Sequence, residues 1–477
     1  MMEELVNIVG EDGVSFSVFE RTLYSHDLAP LPGLVSTFFN TVPDAVVQPR
    51  RTEEVAEIIK YARKAGIPVT PRGAATTGLG GAVATRGGII LDLTRMNKIE
   101  VDRKHGLATV GAGVRWGTLI EELEREGLTV RSYTSSAPSA TVGGWISMGG
   151  LGIGTLKYGH VGEQIIEMEV VTPKGEVVHV SKQGREGYRM EWFFGSEGTL
   201  GVITEVKIQV FPKPQVISPH AVCFKDLDGM FEVVASLLES PAKPYYIEFA
   251  DGALLDIKRE VGLFAPETDA YAMFVFEGSE ESVEQEVEVL RSLVEEVDGV
   301  EVDRERALEE WEERFYSIRI KRAGPTLLAG EILVPIARLG EAVDRLWQLK
   351  ERYDLNLGIH GSVVSREHAL VMPLILADER KRLGYLLTLP MIADVSKLAL
   401  AVGGKPYGVG VWNSFYIKQV YGNRRVREMR ELKRRLDPDN IMNPGKFYKV
   451  QTRFGIPLTS SMYRLGTFLL KVLKAFV

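Results

Sequence analysis

The segment "PRGAATTGLGGAV", Pro71 to Val83, carries four glycines in thirteen residues and almost no side-chain bulk. Its chemistry lies in what is missing. Without Cβ atoms and with positive φ open to it, main chain can turn successive N–H groups into one concavity and meet an anion. A second stretch, "SSAPSATVGGWISMGGLGIGTLKYGH" from Ser135 to His160, holds seven glycines and several hydroxyls. A third, "FFGSEGTLGVITEV" from Phe193 to Val206, sets glycines at 195, 198 and 201 ahead of a strand. None has the G-x-x-x-x-G-K-[ST] spacing, and Val83 stands where Gly78 and Gly80 would need a third glycine for G-x-G-x-x-G. Each alone is an anion-binding loop of another kind or a structural turn. Three in one region imply a long ligand touched by main chain at several points, and a dinucleotide-sized cofactor fits.

Such loops need rigid elements to hold them. In "TEEVAEIIKYARKAG", Val55, Ile58, Ile59 and Ala62 share a helical face that stops at Gly66. "IPVT" leads into the first glycine segment, and Ile89, Ile90 and Leu91 read as a buried strand. "LATVGAGVRWGTLIEELEREGL" reads as strand, turn and helix, and "IIEMEVVTP" as a strand turning through "KGEV" into another. Strands alternating with helices up to "FPKP" argue an α/β domain. Beyond about residue 216 the strands are "HAVCFK", "YYIEFA", "AYAMFVFEG", "AGEILVPI" and "NLGIHGSVV", separated by acidic helical runs. That pattern argues an α+β domain with an antiparallel sheet.

The 477 residues, 45% hydrophobic and 25% charged, suffice for two or three domains with their own cores. A net charge of −7 with mixed signs offers no face to nucleic acid. The single cysteine, Cys223, excludes an internal disulfide framework and any multi-cysteine metal centre, and reads as a small buried residue. "MMEELVNIVG" lacks the features of a signal peptide, and no apolar window reaches about 18 residues. The expected compartment is the cytoplasm. In the tail, Leu465, Phe468, Leu469, Val472, Leu473 and Phe476 recur at helical spacing with Lys471 and Lys474 opposite. Residues 461–477 are therefore either an interfacial helix on a membrane surface or a helix docked on its own domain or a partner subunit.

"PRGAATTGLGGAV", "SATVGGWISMGG" with "KYG", and "GSEGTLGVITEV" together resemble the FAD-binding domain of the vanillyl-alcohol oxidase/p-cresol methylhydroxylase (PCMH) family. "LYSHD", "PDAVVQPRRTEEV" and "LDPDNIMNPGKFY" extend the likeness to its glycolate oxidase/D-lactate dehydrogenase branch and over nearly the whole chain. The resemblance implies an α+β protein: a PCMH-type FAD-binding domain of two α/β subdomains at 1–215 and an α+β cap domain with an antiparallel sheet at 216–420. It further implies a return to the FAD domain at 421–450, followed by the amphipathic tail at 451–477. Carried over by position, Pro71, Arg72, Gly73, Ala74, Ala75, Thr76, Thr77, Gly78, Leu79 and Gly80 would line the FAD pyrophosphate. Ser139, Thr141, Val142, Gly143 and Gly144 would continue along the diphosphate and ribityl chain. Gly198 and Ile203 would lie beside flavin or adenine, and Asn443 and Lys446 would reach the flavin from the C-terminal return. Thr76 and Thr77 stand where relatives with covalently held flavin often carry histidine, so noncovalent FAD is expected.

The implied chemistry is oxidation of a small D-2-hydroxy acid, lactate or glycolate in type, with hydride passing to flavin N5. An electron-transfer flavoprotein, an iron–sulfur subunit or a quinone would take the electrons. Such a site needs a cation on the carboxylate and a base for the hydroxyl proton. "FYSIRIKR" supplies Arg319 for the carboxylate, with Lys321 or Arg322 as substitutes, or a solvated helix charge. "LGIHGS" supplies His360 as base, or a structural histidine. The branch's "G-H-x-G-D-G-N-x-H" and "G-E-H-G" metal-binding segments are broken here, so no metal is expected. "GGKPYGVGVWN" replaces the second, and Tyr407, Trp412 and Asn413 would shape the pocket over the flavin or serve as core. The altered cap leaves open a polyol, aldonolactone or lipid-linked alcohol substrate, an alkylglycerone-phosphate-synthase-like reaction, or a non-catalytic FAD-binding subunit.

Overall fold

A computed structural model describes residues 1–184, 187–324 and 326–474 of the chain. Among these described residues, three sheets of four, five and nine strands carry the architecture. The first is built around the helix Thr52–Ala65, whose Val55, Ile58, Ile59 and Ala62 are buried and which Gly66 ends at φ 65°. That helix is the crossover between strands Ala45–Val47 and Val69–Arg72, both parallel to Ile89–Asp92. Val14–Ser15 closes the far edge antiparallel. The chain leaves its strand at Arg72 and passes directly into the first glycine segment.

The second sheet runs Ile99–Asp102, Leu107–Gly111, Val202–Gln209, Ile165–Val171, Val177–Ser181, and every pairing is antiparallel. Residues 103–106 and 172–176 join its neighbours, and links that short permit only hairpins. Strand–helix alternation thus gives parallel pairing in one half of this region and not in the other. Helices Trp116–Arg125 and Val142–Met148 cover the region, and Trp116 meets Trp145 edge to face at 5.1 Å. The third glycine segment feeds Val202–Gln209, the central strand.

The third sheet is antiparallel throughout. Its order is Val300–Glu301, Val216–Phe224, Ala270–Gly278, Tyr246–Asp251, Asn356–Val363, His368–Ala377, Ile332–Pro335, Lys405–Pro406, with Thr326–Ala329 also on His368–Ala377. All five segments read as strands from the sequence lie in it, and Cys223 is a half-buried free thiol in the first. His368–Ala377 was not among them, yet it pairs with three neighbours. Helices Leu227–Glu239, Glu280–Glu296, Leu339–Tyr353 and Arg382–Ala401 share one apolar core with this sheet. Arg382–Ala401 is long and apolar enough to cross a membrane, but 67% of its apolar window is buried here, as a core helix requires.

After the kinked helix Ile417–Leu436 the chain returns to the first sheet. Val69 donates to the Ile441 carbonyl at 2.8 Å and accepts from Asn443 N–H at 2.7 Å, which adds the return to the sheet's edge. The tail forms a helix, Ser460–Lys474, resting on Arg382–Ala401; Phe476 lies outside the described residues.

Glycine at 361 is a packing requirement. A methyl there would stand 2.0 Å from the ring of Phe249, its cross-strand partner, which is itself 1% exposed. Gly361→Ala is expected to cost about 1–3 kcal/mol in urea unfolding. Gly33→Ala, in open space, should leave the midpoint in place. Equal midpoints for the two variants would refute this account of the sheet.

Candidate functional site

The three glycine segments and one face of the large sheet enclose a cavity of about 690 Å³. Pro71, Arg72, Gly73, Ala74, Ala75, Thr76, Thr77 and Leu79 line it from the first segment. Ser139, Thr141, Gly143 and Gly144 line it from the second, and Gly198 and Ile203 from the third. Gly78, Gly80 and Val142 belong to the same segments without bordering the cavity. Gly78 backs onto Ala29, the Gly80 N–H donates to Asp27 at 2.7 Å, and Val142 is fully buried.

The glycines let loop press against loop. A Cβ on Gly73 would stand 2.1 Å from the Thr141 hydroxyl, and one on Gly143 would stand 2.6 Å from the Ala112 methyl. Thr141 in turn accepts the Gly144 N–H at 3.2 Å and caps its helix. Gly198 adopts φ 69°, and its neighbour Glu197 holds φ 51° without being glycine, a strain that surrounding bonds must maintain.

Those bonds come from behind the first segment. Lys446 Nζ donates to the carbonyls of Gly81, at 3.1 Å, and Val83. Asn443 Nδ2 donates to Gly81 O at 3.0 Å and Glu197 O at 2.6 Å. The Glu197 carboxylate accepts the Val409 and Gly410 N–H groups, each at 2.8 Å. Asp27 accepts from Gly80 and Ala29. Burial pushes Lys446 down to about 7 and Asp27 up to about 6, and it raises Glu197. Asn443 and Lys446, expected at the cofactor, therefore stand outside the cavity wall and brace the loop that forms it. The segment Gly403–Asn413 does the same. Val411 donates to Leu79 O at 2.8 Å, while Asn413 bonds Ser396 and Gly408, and Trp412 packs in the core of the large sheet.

The opposite wall comes from that sheet. His360 borders the cavity, with Nε2 3.5 Å from the Glu248 carboxylate and a buried Nδ1 that has no partner among the described residues. Burial opposes charge on Glu248, but the His360 ring, Lys258 and the Tyr246 hydroxyl outweigh it and hold the carboxyl below its usual range. Tyr407 also borders the cavity, its hydroxyl accepting the Leu151 N–H at 3.0 Å. Arg319 does not. Its guanidinium pairs with Glu313 at 3.0 Å and lies over the Tyr316 ring, while the 3₁₀ helix Ser317–Ala323 carries Lys321 to the cavity instead. Glu331 borders the cavity too, and burial lifts it to about 7. Glu248 was not singled out from the sequence, although a lone carboxylate inside the apolar strand "YYIEFA" was the available signal. Leu370, Met372 and Leu374, alternate residues of the unread strand, complete the wall. Among the described residues, no three His, Cys, Asp or Glu gather as a metal site would require.

Lys446→Met would take the buried donor from the Val83 carbonyl and remove the positive charge beside Glu197 and Asp27, a loss of about 1–3 kcal/mol. Faster amide exchange over Gly80–Val83 with a lowered melting temperature is the expected result. Unchanged exchange would show that the loop holds itself.

Comparison with known proteins places this geometry. Residues 43–181 match the FAD binding domain, and residues 213–447 match the C-terminal domain of FAD linked oxidases. The chain is 28% identical to glycolate oxidase subunit GlcD of Bacillus subtilis, over 94% of this chain and 97% of that one. It is 29% identical to a D-lactate dehydrogenase of Archaeoglobus fulgidus, over 84% and 90% of the two chains. Its fold is similar to that of p-cresol methylhydroxylase with substrate bound, at a TM-score of 0.80, 17% identity and coverage of 94% and 96%. Alkyldihydroxyacetonephosphate synthase follows at 0.72, 20% identity and coverage of 93% and 84%. The cavity suits FAD: it holds about 690 Å³ and is walled on one side by the glycine segments, whose lack of side chains lets them pack loop against loop. The chain belongs to the FAD-linked oxidoreductases of the glycolate oxidase/D-lactate dehydrogenase type, joining an FAD-binding domain to an oxidase C-terminal domain.

Proposed function

We propose that this enzyme oxidises a D-2-hydroxy acid that bears an apolar chain, holds FAD noncovalently along the glycine segments, and passes electrons to a protein or quinone acceptor. The observation that carries the reading is the His360–Glu248 pair at the cavity, with an Nδ1 that no described protein group engages. A charged Glu248 favours the proton on Nε2 and leaves the lone pair on Nδ1, the arrangement of a general base. His360 takes the hydroxyl proton from substrate, and Glu248 stabilises the imidazolium that results. Bound in the cavity, FAD supplies the hydride acceptor. Lys321, rather than Arg319, offers the cation for the substrate carboxylate, since Arg319 is committed to Glu313. Thr76 and Thr77, in place of a histidine in the first segment, support noncovalent binding.

The substrate's third substituent follows from the remaining lining. Phe315, Ile318, Leu327, Leu370, Met372 and Leu374 present hydrocarbon that a methyl group would leave largely uncovered. The same wall favours, as a second reading, a lipid-linked alcohol with no carboxylate.

Anaerobic mixing with D-lactate, D-2-hydroxyhexanoate and D-2-hydroxyoctanoate tests both. Bleaching of the flavin band should quicken with chain length, and His360→Ala should slow it by about 10²–10⁴ while retaining FAD. Lys321→Met should raise KM for the acids with kcat little changed, and indifference to Lys321→Met would favour the alcohol. A band that none of these acids bleaches, nor a long-chain alcohol such as 1-octanol, would leave an FAD-binding subunit without this chemistry.

Glu331 sets the expected pH dependence. Its carboxyl is neutral below about 7 and charged above, so a substrate carboxylate meets repulsion only on the alkaline side. KM should rise as pH passes upward through about 7, and Glu331→Gln should flatten that rise. A profile unaltered by Glu331→Gln would place the titration elsewhere.

A further inference from the structure

We propose that the C-terminal helix seats this enzyme on an anionic phospholipid surface, an inference that stands on the molecular surface and not on the substrate reading. The helix Ser460–Lys474 is docked with its polar side inward. Lys471 Nζ lies 2.6 Å from the buried Asp394 carboxylate, which also accepts from Tyr353 at 2.9 Å and Lys397 at 3.2 Å. Lys474 donates to the Tyr353 carbonyl, and Tyr463 stacks on Phe415 with ring centres 4.1 Å apart. With the lysines committed to the protein, the hydrophobic stripe faces water: Leu465 is 59% exposed, Phe468 60% and Leu469 56%. Val472 and Leu473 extend the stripe, and Phe454 on the preceding loop is also exposed. A helix that only closed its own domain would bury that stripe and leave the lysines in solvent.

Charge decides what covers it. The chain as a whole carries −7, yet nothing after Asp439 is acidic, while Lys449, Arg453 and Arg464 add positive charge. At the root of the helix, Lys418, Arg430 and Lys449 line a cleft of about 570 Å³ together with Thr459 and Ser460, and no carboxylate borders it. Lys418 and Lys449 have no ion-pair partner among the described residues. A second copy of the chain, meeting this face with the same face, would set basic cleft against basic cleft. An anionic bilayer offers what both features need: acyl chain for the stripe and phosphate for the cleft.

The experiment is sedimentation of the intact holoenzyme with vesicles of phosphatidylglycerol and phosphatidylcholine in equal parts, and with phosphatidylcholine alone. The expected result is binding to the anionic vesicles only, weakened by salt. Phe468→Glu/Leu469→Glu should reduce it about tenfold or more, as should Lys418→Glu/Lys449→Glu. Both pairs lie on the surface, and flavin content and bleaching rate should match the parent, which separates failed docking from failed folding. Absence of binding to either vesicle overturns the proposal, as does equal binding to neutral vesicles. A dimer in light scattering that Phe468→Glu/Leu469→Glu dissolves, without vesicle binding, would make the face a contact between copies. Binding of free glycerol phosphate without vesicle binding would make the cleft a site for a soluble ligand.

Discussion

The amino group of Lys446, buried behind the first glycine segment, donates to the carbonyls of Gly81 and Val83. Glycine-rich main chain loses more conformational freedom on ordering than any other, so a loop of this kind does not hold its own shape. With those carbonyls turned toward Lys446, the amides of the same peptide units point the other way, because each unit is planar and trans. One side chain thus fixes the orientation of the Gly81–Ala82 peptide at the cavity's edge. Glu197 and Asp27 stand close enough to favour its charge, and each spends its own oxygens on backbone N–H groups of adjoining segments. The result is a small buried network in which every ion is hydrogen-bonded to main chain, the condition under which buried charge is tolerated.

That network also explains why the site needs the whole length of the chain. Lys446 and Asn443 come from the C-terminal return, Glu197 from the third glycine segment, and Val409 and Gly410 from beyond the large sheet. The loop that meets the cofactor is therefore clamped by residues that also position the opposite wall. Tyr407, a few residues from Val409 and Gly410, borders the cavity and donates its own N–H to the Glu331 carbonyl. The two walls share supports, which fixes their separation.

On the substrate side, strand alternation does the sorting. Glu248 pairs across the sheet with Ser362, and His360 with Met372, so His360, Glu248 and the apolar lining come from three adjacent strands in fixed register. Gly361, between His360 and Ser362, makes room for the Phe249 ring on which this part of the sheet packs.

The sequence alone determined the elements and the kind of ligand. The face of the helix over residues 52–65, five strands of the large sheet and three segments of bare main chain are local patterns, and local sterics and periodicity suffice to read them. His368–Ala377 escaped because a run apolar on both faces carries no alternation, and it borders core on one side and cavity on the other. What only the tertiary structure decided is which way polar groups point and what they meet. Arg319 and Lys321 are two residues apart in one basic run, and a 3₁₀ helix sends one to Glu313 and the other to the cavity. Lys446 and Asn443 sit in a motif that reads as cofactor contact, and long-range packing commits their donors to carbonyls of the glycine segments. The tail's pattern states that it has an apolar and a basic face, but only Asp394, brought from a distant helix, draws the lysines inward and leaves the hydrocarbon outside. Periodicity defines the faces of an element; burial and charge elsewhere in the fold choose which face turns in.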